Sequence, residues 1–362
     1  MTGKGRENMV ERRCSRCVLP ESYPGIVFDE NGVCQLCKSY QKLQVKGEEE
    51  LQRLITPRKG EKYDCIVTLS GGRDSSYVLY YIVKVLGLRT LVLHYDNGFR
   101  HIQALNNVKE ACRRLGTELL ECRSKGNLNV RITAHALHTT IPFGPGAACQ
   151  FMCRPCYNGG LAFLYSTAEK YRIPFVIWGD SLIEKITFIP VRNKIMGFQK
   201  PLRYACSSRC FSFFRFLYLL VIQRNEALPS GNFSFDIHYP KLRSQGTEEI
   251  HLFDYIEWDR NQIKKAIIEE LGWQKPPEKL SSWRFDCHLH SLVNYCHKKA
   301  VGFNHDIDGL ANMVRAGKMD RVEAMDLIEK GFDSGEWNEE LQELTRNGLQ
   351  LHESDINTMK SW

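Results

Sequence analysis

Ser70-Gly71-Gly72-Arg73-Asp74-Ser75-Ser76 has the chemistry of an anion site. Two consecutive glycines let backbone amides approach a phosphate closely, and a helix that begins just after them offers it unpaired N–H groups. Ser70, Ser75 and Ser76 add hydroxyl donors, and Arg73 adds a cation. Asp74 is out of place beside a phosphate unless a cation joins the two, and Mg2+ is the usual bridge between a carboxylate and a nucleotide. The spacing matches neither a Walker A loop, which ends in Gly-Lys-Ser/Thr, nor the G-x-G-x-x-G dinucleotide fingerprint. A Gly-Gly turn with an Asp or Ser helix cap is the plain structural alternative.

Fourteen cysteines supply the second chemistry. Cys14-x2-Cys17 and Cys34-x2-Cys37 have the spacing of a four-thiolate zinc ribbon, each pair gripping the ion from a tight turn. Gly25 and Gly32 suit the loop between the pairs. A closed tetrahedral site of this kind is structural rather than catalytic. Cys153-x2-Cys156, with Cys149 just upstream and Cys287 far along the chain, is a looser set. It suits a second zinc ion, an iron–sulfur cluster or reduced thiols near an active site. Cys65, Cys112, Cys122, Cys206, Cys210 and Cys296 read as small buried hydrophobes.

These residues need elements to hold them. Cys65–Leu69, Thr90–Tyr95, Thr117–Cys122 and Pro174–Trp178 read as short buried strands. Ser75–Leu86, Arg100–Leu115, Leu128–His138 and Tyr157–Tyr171 read as the helices between them. The alternation predicts an α/β fold with a parallel sheet covered on both faces, and places the Ser70–Ser76 loop between the first strand and the first helix. Gln41 to Lys62 reads as a short helix and a linker, and Pro142–Gly146 and Pro190–Ser208 as loops. Cys210–Ile222, apolar except for Arg215, is too short to span a bilayer and suits a core or interface helix. From His288 onward the chain reads as helical, with an amphipathic stretch over Arg321–Lys330.

With 362 residues, 43% hydrophobic and 25% charged, the chain has the composition of a globular protein and the length for two domains. The formal net charge of +7 is uneven, because the segment from Asp320 carries eleven acidic and four basic side chains and leaves +14 on the body. A basic body suits an anionic ligand such as a nucleotide, a sugar nucleotide or RNA. No apolar run reaches the roughly 18–20 residues of a membrane span, and the first residues lack the apolar core of a signal peptide. A cytoplasmic chain with reduced thiols is expected.

The segment Ser70–Ser76 resembles the PP-loop, SGGxDS, of the N-type ATP pyrophosphatase superfamily, whose fold is Rossmann-like (adenine nucleotide alpha hydrolase-like). Its members adenylate a carbonyl-type oxygen with ATP, release pyrophosphate, and let ammonia or sulfur displace AMP. The resemblance implies that Ser70, Gly71, Gly72, Asp74, Ser75 and Ser76 hold the pyrophosphate. It also implies Asp74 on Mg2+, with Arg73 and Ser75 beside the reacting phosphates. His94 and Asp96, at the end of the second strand, fall where superfamily members contact adenosine. Gly179 and Asp180 end a later strand, and Asp180 and Glu184 suit either a second metal site or helix caps. Cys153, Cys156 and Cys287 resemble the three-ligand iron–sulfur arrangement of PP-loop tRNA-thiolating enzymes.

A four-cysteine ribbon, then SGGRDSS, then Met152-Cys153-Arg154-Pro155-Cys156, resembles the N-acetyl sugar amidotransferases of bacterial surface-polysaccharide pathways. The resemblance continues through Phe253–Trp258, Arg284–Cys287 and Arg315–Ala324, and so runs from Cys14 to about Lys330. Arg73 departs from it, since the wider superfamily often has lysine there. The implied organisation is a zinc ribbon over 1–45, a PP-loop ATP pyrophosphatase domain over 60–260 and a helical region over 261–362. The implied cofactors are ATP, Mg2+ and Zn2+, with a second zinc or an iron–sulfur cluster at the looser cysteine set.

The implied reaction caps an acetamide oxygen with AMP and lets ammonia displace that AMP. An acetamidino group is left on an N-acetylated sugar, expected to be nucleotide-linked, of O-antigen or flagellar nonulosonic acid synthesis. No general base stands out. No glutaminase motif is found, and Thr2 follows the initiator Met, so ammonia is expected from a separate glutaminase with a cyclase-like companion. Two readings compete: a tRNA-thiolating PP-loop enzyme and a non-catalytic zinc-ribbon adaptor. The acidic C-terminus and the lack of a second terminal ribbon argue against a nucleic-acid partner.

Overall fold

The computed structural model describes residues 11–42, 44–57, 60–181, 183, 246–332 and 335–362. Glu184, Pro190–Ser208 and Cys210–Ile222 lie outside the described residues, and Cys206 with them. β1 (Cys65–Thr68), β2 (Thr90–Asp96), β3 (Glu118–Arg123), β4 (Phe175–Trp178) and β5 (Glu248–His251) form one sheet in the order β3-β2-β1-β4-β5. Every pairing is parallel. Side-chain alternation along the central strands decides where the layers go. Val67, Val92 and Ile177 are buried on one face, and Ile66, Leu91, Leu93 and Val176 on the other. A sheet buried on both sides needs cover on both sides, as an all-parallel sheet does.

That cover comes from the helices. In chain order these begin with α1 (Gln35–Lys38), α2 (Glu48–Leu54), α3 (Arg73–Tyr80) and α4 (Ile102–Leu115). There follow α5 (Leu128–Thr140), α6 (Pro145–Met152), α7 (Arg154–Tyr171) and α8 (Arg260–Leu271). The C-terminal set is α9 (Leu289–Val301), α10 (His305–Arg315), α11 (Arg321–Glu329), α12 (Glu339–Glu343) and α13 (Glu353–Ser361). α3, α4 and α8 pack on the Val67 face through Val78, Val108 and Ile267. α7 packs on the other face through Leu164 and Ala168. A separate core joins α5 and α6 to α9 and α13 through Leu137, Met152, Leu292 and Ile356.

Several boundaries differ from the sequence reading, for local reasons. α3 starts at Arg73 rather than Ser75 and closes in a π-turn over Tyr81–Val85. Pro142–Gly146 is not a loop: Ile141–Phe143 makes a 3-10 turn and α6 begins at Pro145. A proline fits the first helical turn, where its missing N–H would have no partner anyway. The same holds for α7, which starts at Arg154 ahead of Pro155 instead of at Tyr157. β5 carries two glutamates and one buried residue, Ile250, so it presents no apolar run to read. The Gln41–Lys62 stretch is docked, with Leu51 buried and Lys46 N donating to Asp254 O (2.8 Å). Among the described residues no helix is long and apolar enough to cross a membrane.

The ribbon packs against the C-terminal helices. Tyr23 stacks on Phe303 at 4.8 Å, and its hydroxyl donates to Asp308 of α10 at 2.9 Å. Burial pushes the Asp308 carboxyl up to about 6, against the opposing pull of Tyr23 and Arg315. The folded chain therefore keeps a proton there that the unfolded chain releases near pH 4. Stability from this proton is fully present below about pH 4 and is lost as the pH rises through about 6. Asp308→Asn keeps an acceptor for Tyr23. It should raise stability by about 1–2 kcal/mol at pH 8 and leave it nearly unchanged at pH 4, measured by urea unfolding at both.

Candidate active site

The loop between β1 and α3 is shaped by one forced turn. Gly71 has φ +84, and a Cβ on it would lie 2.1 Å from the carbonyl oxygen of Ala104 in α4. Neither requirement admits a side chain. The Gly71 carbonyl is then fixed by Trp273 Nε1 (3.0 Å) and Asn107 Nδ2 (3.2 Å). Gly72 is the N-cap of α3, and no side chain caps the first amides of the helix. Ser70 and Ser75 hydroxyls lie 3.1 Å apart across the loop, and Gly72 N donates to Ser70 Oγ at 3.2 Å.

The loop forms one wall of a cleft of about 390 Å³ at the carboxyl ends of β1, β2 and β4. This is where the sheet order reverses direction, the position at which doubly wound sheets bind ligands. A volume of this size suits a nucleotide-sized molecule. Its lining includes the apolar side chains of Leu93, Leu161, Leu164 and Trp178, with Tyr95, and the polar ones of the loop, Arg100, Ser282, Arg284 and Asp286.

Two arginine–aspartate pairs flank the loop. Arg73 forks onto Asp74, Nε to Oδ1 at 2.9 Å and Nη2 to Oδ2 at 2.8 Å, and its guanidinium lies 5.0 Å from the Trp258 ring centre. Trp258 Nε1 also donates to Asp74 Oδ1 at 3.1 Å. Opposite, Arg100 Nη1 donates to Asp286 Oδ2 at 3.0 Å. Burial opposes the Arg100 charge, but Asp286 and the sulfurs of Cys156 and Cys287 outweigh it and raise the arginine's pKa.

The anticipated site residues fall unevenly. Ser70, Gly72, Arg73, Asp74, Ser75, Gly179 and Asp180 line the cleft. Gly71 supports the loop from behind, and Ser76 is turned inward, its hydroxyl donating to Gly72 O at 2.8 Å. His94 is a correction: it is fully buried and its Nδ1 pairs with Leu69 O at 2.7 Å. Strand alternation sends Leu93 and Tyr95 into the cleft and His94 to the opposite face. Burial keeps the imidazole pKa below its ordinary value, the Leu69 carbonyl only partly opposing that. Asp96 also stays off the cleft and accepts from Gly98 N at 2.8 Å. Asp180 pairs with His251 of β5 at 2.6 Å. Asp74, the residue expected to hold Mg2+, has both oxygens taken by Arg73 and Trp258, so this arrangement does not fit the ion.

The cysteines divide as two sets. Cys14, Cys17, Cys34 and Cys37 are buried with their sulfurs within 4.8 Å of one another. Cys14–Cys37 and Cys17–Cys34 are each 3.9 Å apart. Zn–S bonds of about 2.3 Å in a tetrahedron put sulfurs about 3.8 Å apart, so this set fits zinc. Among the described residues no other group of three or more ligand side chains is gathered as closely. Cys156 and Cys287 each accept from the same Asn97 Nδ2, at 3.4 Å. Cys287 reaches this place because its strand segment bridges Arg100, with His288 N donating to Phe99 O at 2.9 Å. Cys153, at the start of α7, is solvent-exposed. Burial pushes Cys287 up to about 11 and raises Cys156, with Arg100 opposing in both. Cys153, Cys156 and Cys287 are not gathered as closely as a single ion needs.

No family model matches the chain. An uncharacterized protein of Methanocaldococcus jannaschii is 21% identical over 347 residues, covering 94% of this chain and 100% of that one. Among solved structures, the chain is similar to the U34-tRNA thiolase NcsA of Methanococcus maripaludis, solved with its 4Fe–4S cluster. The TM-score is 0.34 at 12% identity, over 89% of each chain. It is also similar to the NMN synthetase of Francisella tularensis, with TM-score 0.35 at 14% identity, over 74% of this chain and 91% of that one. Neither likeness is close enough to carry an argument about this chain's function.

Sequence reasoning missed the residues that frame the loop from afar: Asn107, Trp258, Trp273, Ser282 and Asp286. Trp258 and Asp286 fall in segments that carry the resemblance, Phe253–Trp258 and Arg284–Cys287, but nothing local assigns either of them to the loop. Tyr95 was readable, since alternation along TLVLHYD assigns it the face opposite His94. Gly71→Ala combines a left-handed backbone with a clash against a carbonyl, and should cost about 2–4 kcal/mol in urea unfolding.

Proposed function

We propose that the chain is an ATP-dependent enzyme that transfers AMP to a carbonyl-type oxygen, releases pyrophosphate, and lets a nitrogen nucleophile displace the AMP. The observation that carries this reading is Ser70–Ser76, joining strand to helix with free helix amides, at the mouth of the cleft where the sheet order reverses. The apolar lining from Leu93, Tyr95 and Trp178 suits an adenine ring, and the loop suits phosphates.

For the acceptor we infer an N-acetylated sugar, taken as its acetamide, and ammonia as the nucleophile. The support is the sequence resemblance to N-acetyl sugar amidotransferases over Cys14 to about Lys330. An acetamide carbonyl is a poor electrophile. Attack of its oxygen on the α-phosphorus forms the O–P bond and breaks the bond to pyrophosphate, and loss of the amide N–H proton leaves a neutral O-adenylyl imidate. Ammonia then adds to the imidate carbon, AMP departs with the C–O electron pair, and an acetamidino group remains. Charge on the departing pyrophosphate would be met by the α3 amides, Ser70, Ser75 and Arg73, which line the cleft. Ammonia would come from a separate glutaminase with a cyclase-like companion, in the cytoplasm. A ribbon zinc would hold the N-terminal segment in place.

One observation favours a second reading, tRNA thiolation. Cys153, Cys156 and Cys287 gather at the cleft, where Cys156 forms part of the lining, and such a set suits an iron–sulfur cluster more than a single ion. The two readings differ in acceptor and nucleophile. With ammonium salts and a panel of N-acetyl sugars, pyrophosphate release should depend on the sugar, and mass spectrometry should show NH in place of O. Glutamine alone should not serve. Pyrophosphate release that ignores every sugar but requires tRNA would transfer the assignment to thiolation.

A further inference from the structure

Between the zinc ribbon and the loop runs a path of three polar contacts joined by short stretches of backbone. Arg321, first residue of α11, donates Nε to Cys17 O at 2.9 Å and Nη2 to Cys14 O at 3.0 Å. Those carbonyls belong to the metal-gripping turn, in which the amides of Arg16 and Cys17 both point at Cys14 Sγ, at 3.4 Å. Two residues along α11, Glu323 forks with Arg260 at 2.6 and 2.7 Å. Arg260 opens α8, whose N-cap Asp259 accepts from Asn261 N at 2.9 Å and Gln262 N at 2.8 Å. The residue before that cap is Trp258, which is 6% exposed and donates to Asp74 while lying against Arg73.

We propose that Trp258 is a positioning residue for the Arg73–Asp74 pair, and that the ribbon fixes Trp258 through Arg321, Glu323 and Arg260. The proposal rests on the reading of Ser70–Ser76 as a pyrophosphate loop. The physical reason lies in α11. Ala324, Met325, Leu327 and Ile328 seat the helix on the core, and its exposed first turn carries two charged anchors, one on the ribbon's carbonyls and one on the start of α8. Trp258 then presents its N–H to Asp74 Oδ1 and its ring to Arg73, holding both members of the pair at the loop's mouth. A ribbon set firmly by its ion would thus hold the loop's charged pair ready for phosphate.

The test uses the full chain loaded with zinc, in four forms: unsubstituted, Trp258→Phe, Glu323→Gln and the double variant. Calorimetry reads the affinity for inorganic pyrophosphate in the presence of Mg2+. Each single substitution should weaken binding about three- to tenfold, and the double should be no weaker than the weaker single, because both cut one brace. In chain labelled with 5-fluorotryptophan, the 19F resonance identified by its absence in Trp258→Phe should move in Glu323→Gln. It should stay in place in Glu353→Gln, which cuts the Arg346–Glu353 pair instead. An unmoved resonance in Glu323→Gln, or a double variant whose loss is the product of the singles, would overturn the brace. An unsubstituted chain that ignores pyrophosphate while the resonance still moves would overturn the reading of the loop and leave the brace standing.

Discussion

The contact between Gly71 and the carbonyl of Ala104 is the constraint on which the rest of the site depends. A Cβ at 2.1 Å from that oxygen is impossible, so the chain turns there in a left-handed conformation and α3 starts two residues later with bare amides. α4 supplies both the obstacle, Ala104, and one of the two donors that fix the Gly71 carbonyl, Asn107. The other donor, Trp273, follows α8 directly, so that helix contributes at both ends: Trp258 just before it and Trp273 just after. The segment beyond it returns to place Asp286 over Gly72, with its Cγ 3.7 Å from where a Cβ on Gly72 would stand. An anion loop is a poor place for two carboxylates. Here each is matched by an arginine, which leaves the helix amides and hydroxyls to face a ligand.

The four-cysteine segment stands apart from this cleft and yet is packed into the same apolar core as the sheet. Val18, Leu19 and Tyr23 are buried together with residues of α10 and α11, so the ribbon and the C-terminal helices share a core with the helices that flank the loop. A small metal-held segment cannot build a core of its own size, and docking onto a larger one is the usual remedy. The looser cysteines take a different place. They lie where α7, the end of β2 and the segment before α9 converge, beside Arg100, which lines the cleft together with Cys156.

What the sequence disclosed follows from range. The parallel sheet was legible because CIVT, TLVLHYD and FVIW are short apolar runs between polar turns. The ribbon was legible because Cys-x2-Cys fixes two ligands within one turn. β5 was not, since Glu248, Glu249 and His251 on an edge strand hide its single buried residue. The outer walls of the cleft were not legible either. Asp286 reaches Arg100 across 186 positions, and Trp258 reaches Asp74 across 184, with nothing local to announce either meeting. His94 illustrates a finer error, in which the strand's end was placed correctly but its two faces were not separated.

The central claim is that Ser70–Ser76 holds pyrophosphate and leaves the α-phosphorus to be attacked. Its most direct test is the fate of ATP in turnover with ammonium and the acetamido acceptor, followed by 31P NMR. The account predicts AMP and pyrophosphate in equal amounts. ADP and orthophosphate as the products would contradict it, because cleavage would then fall at the γ-phosphate that the loop is said to retain.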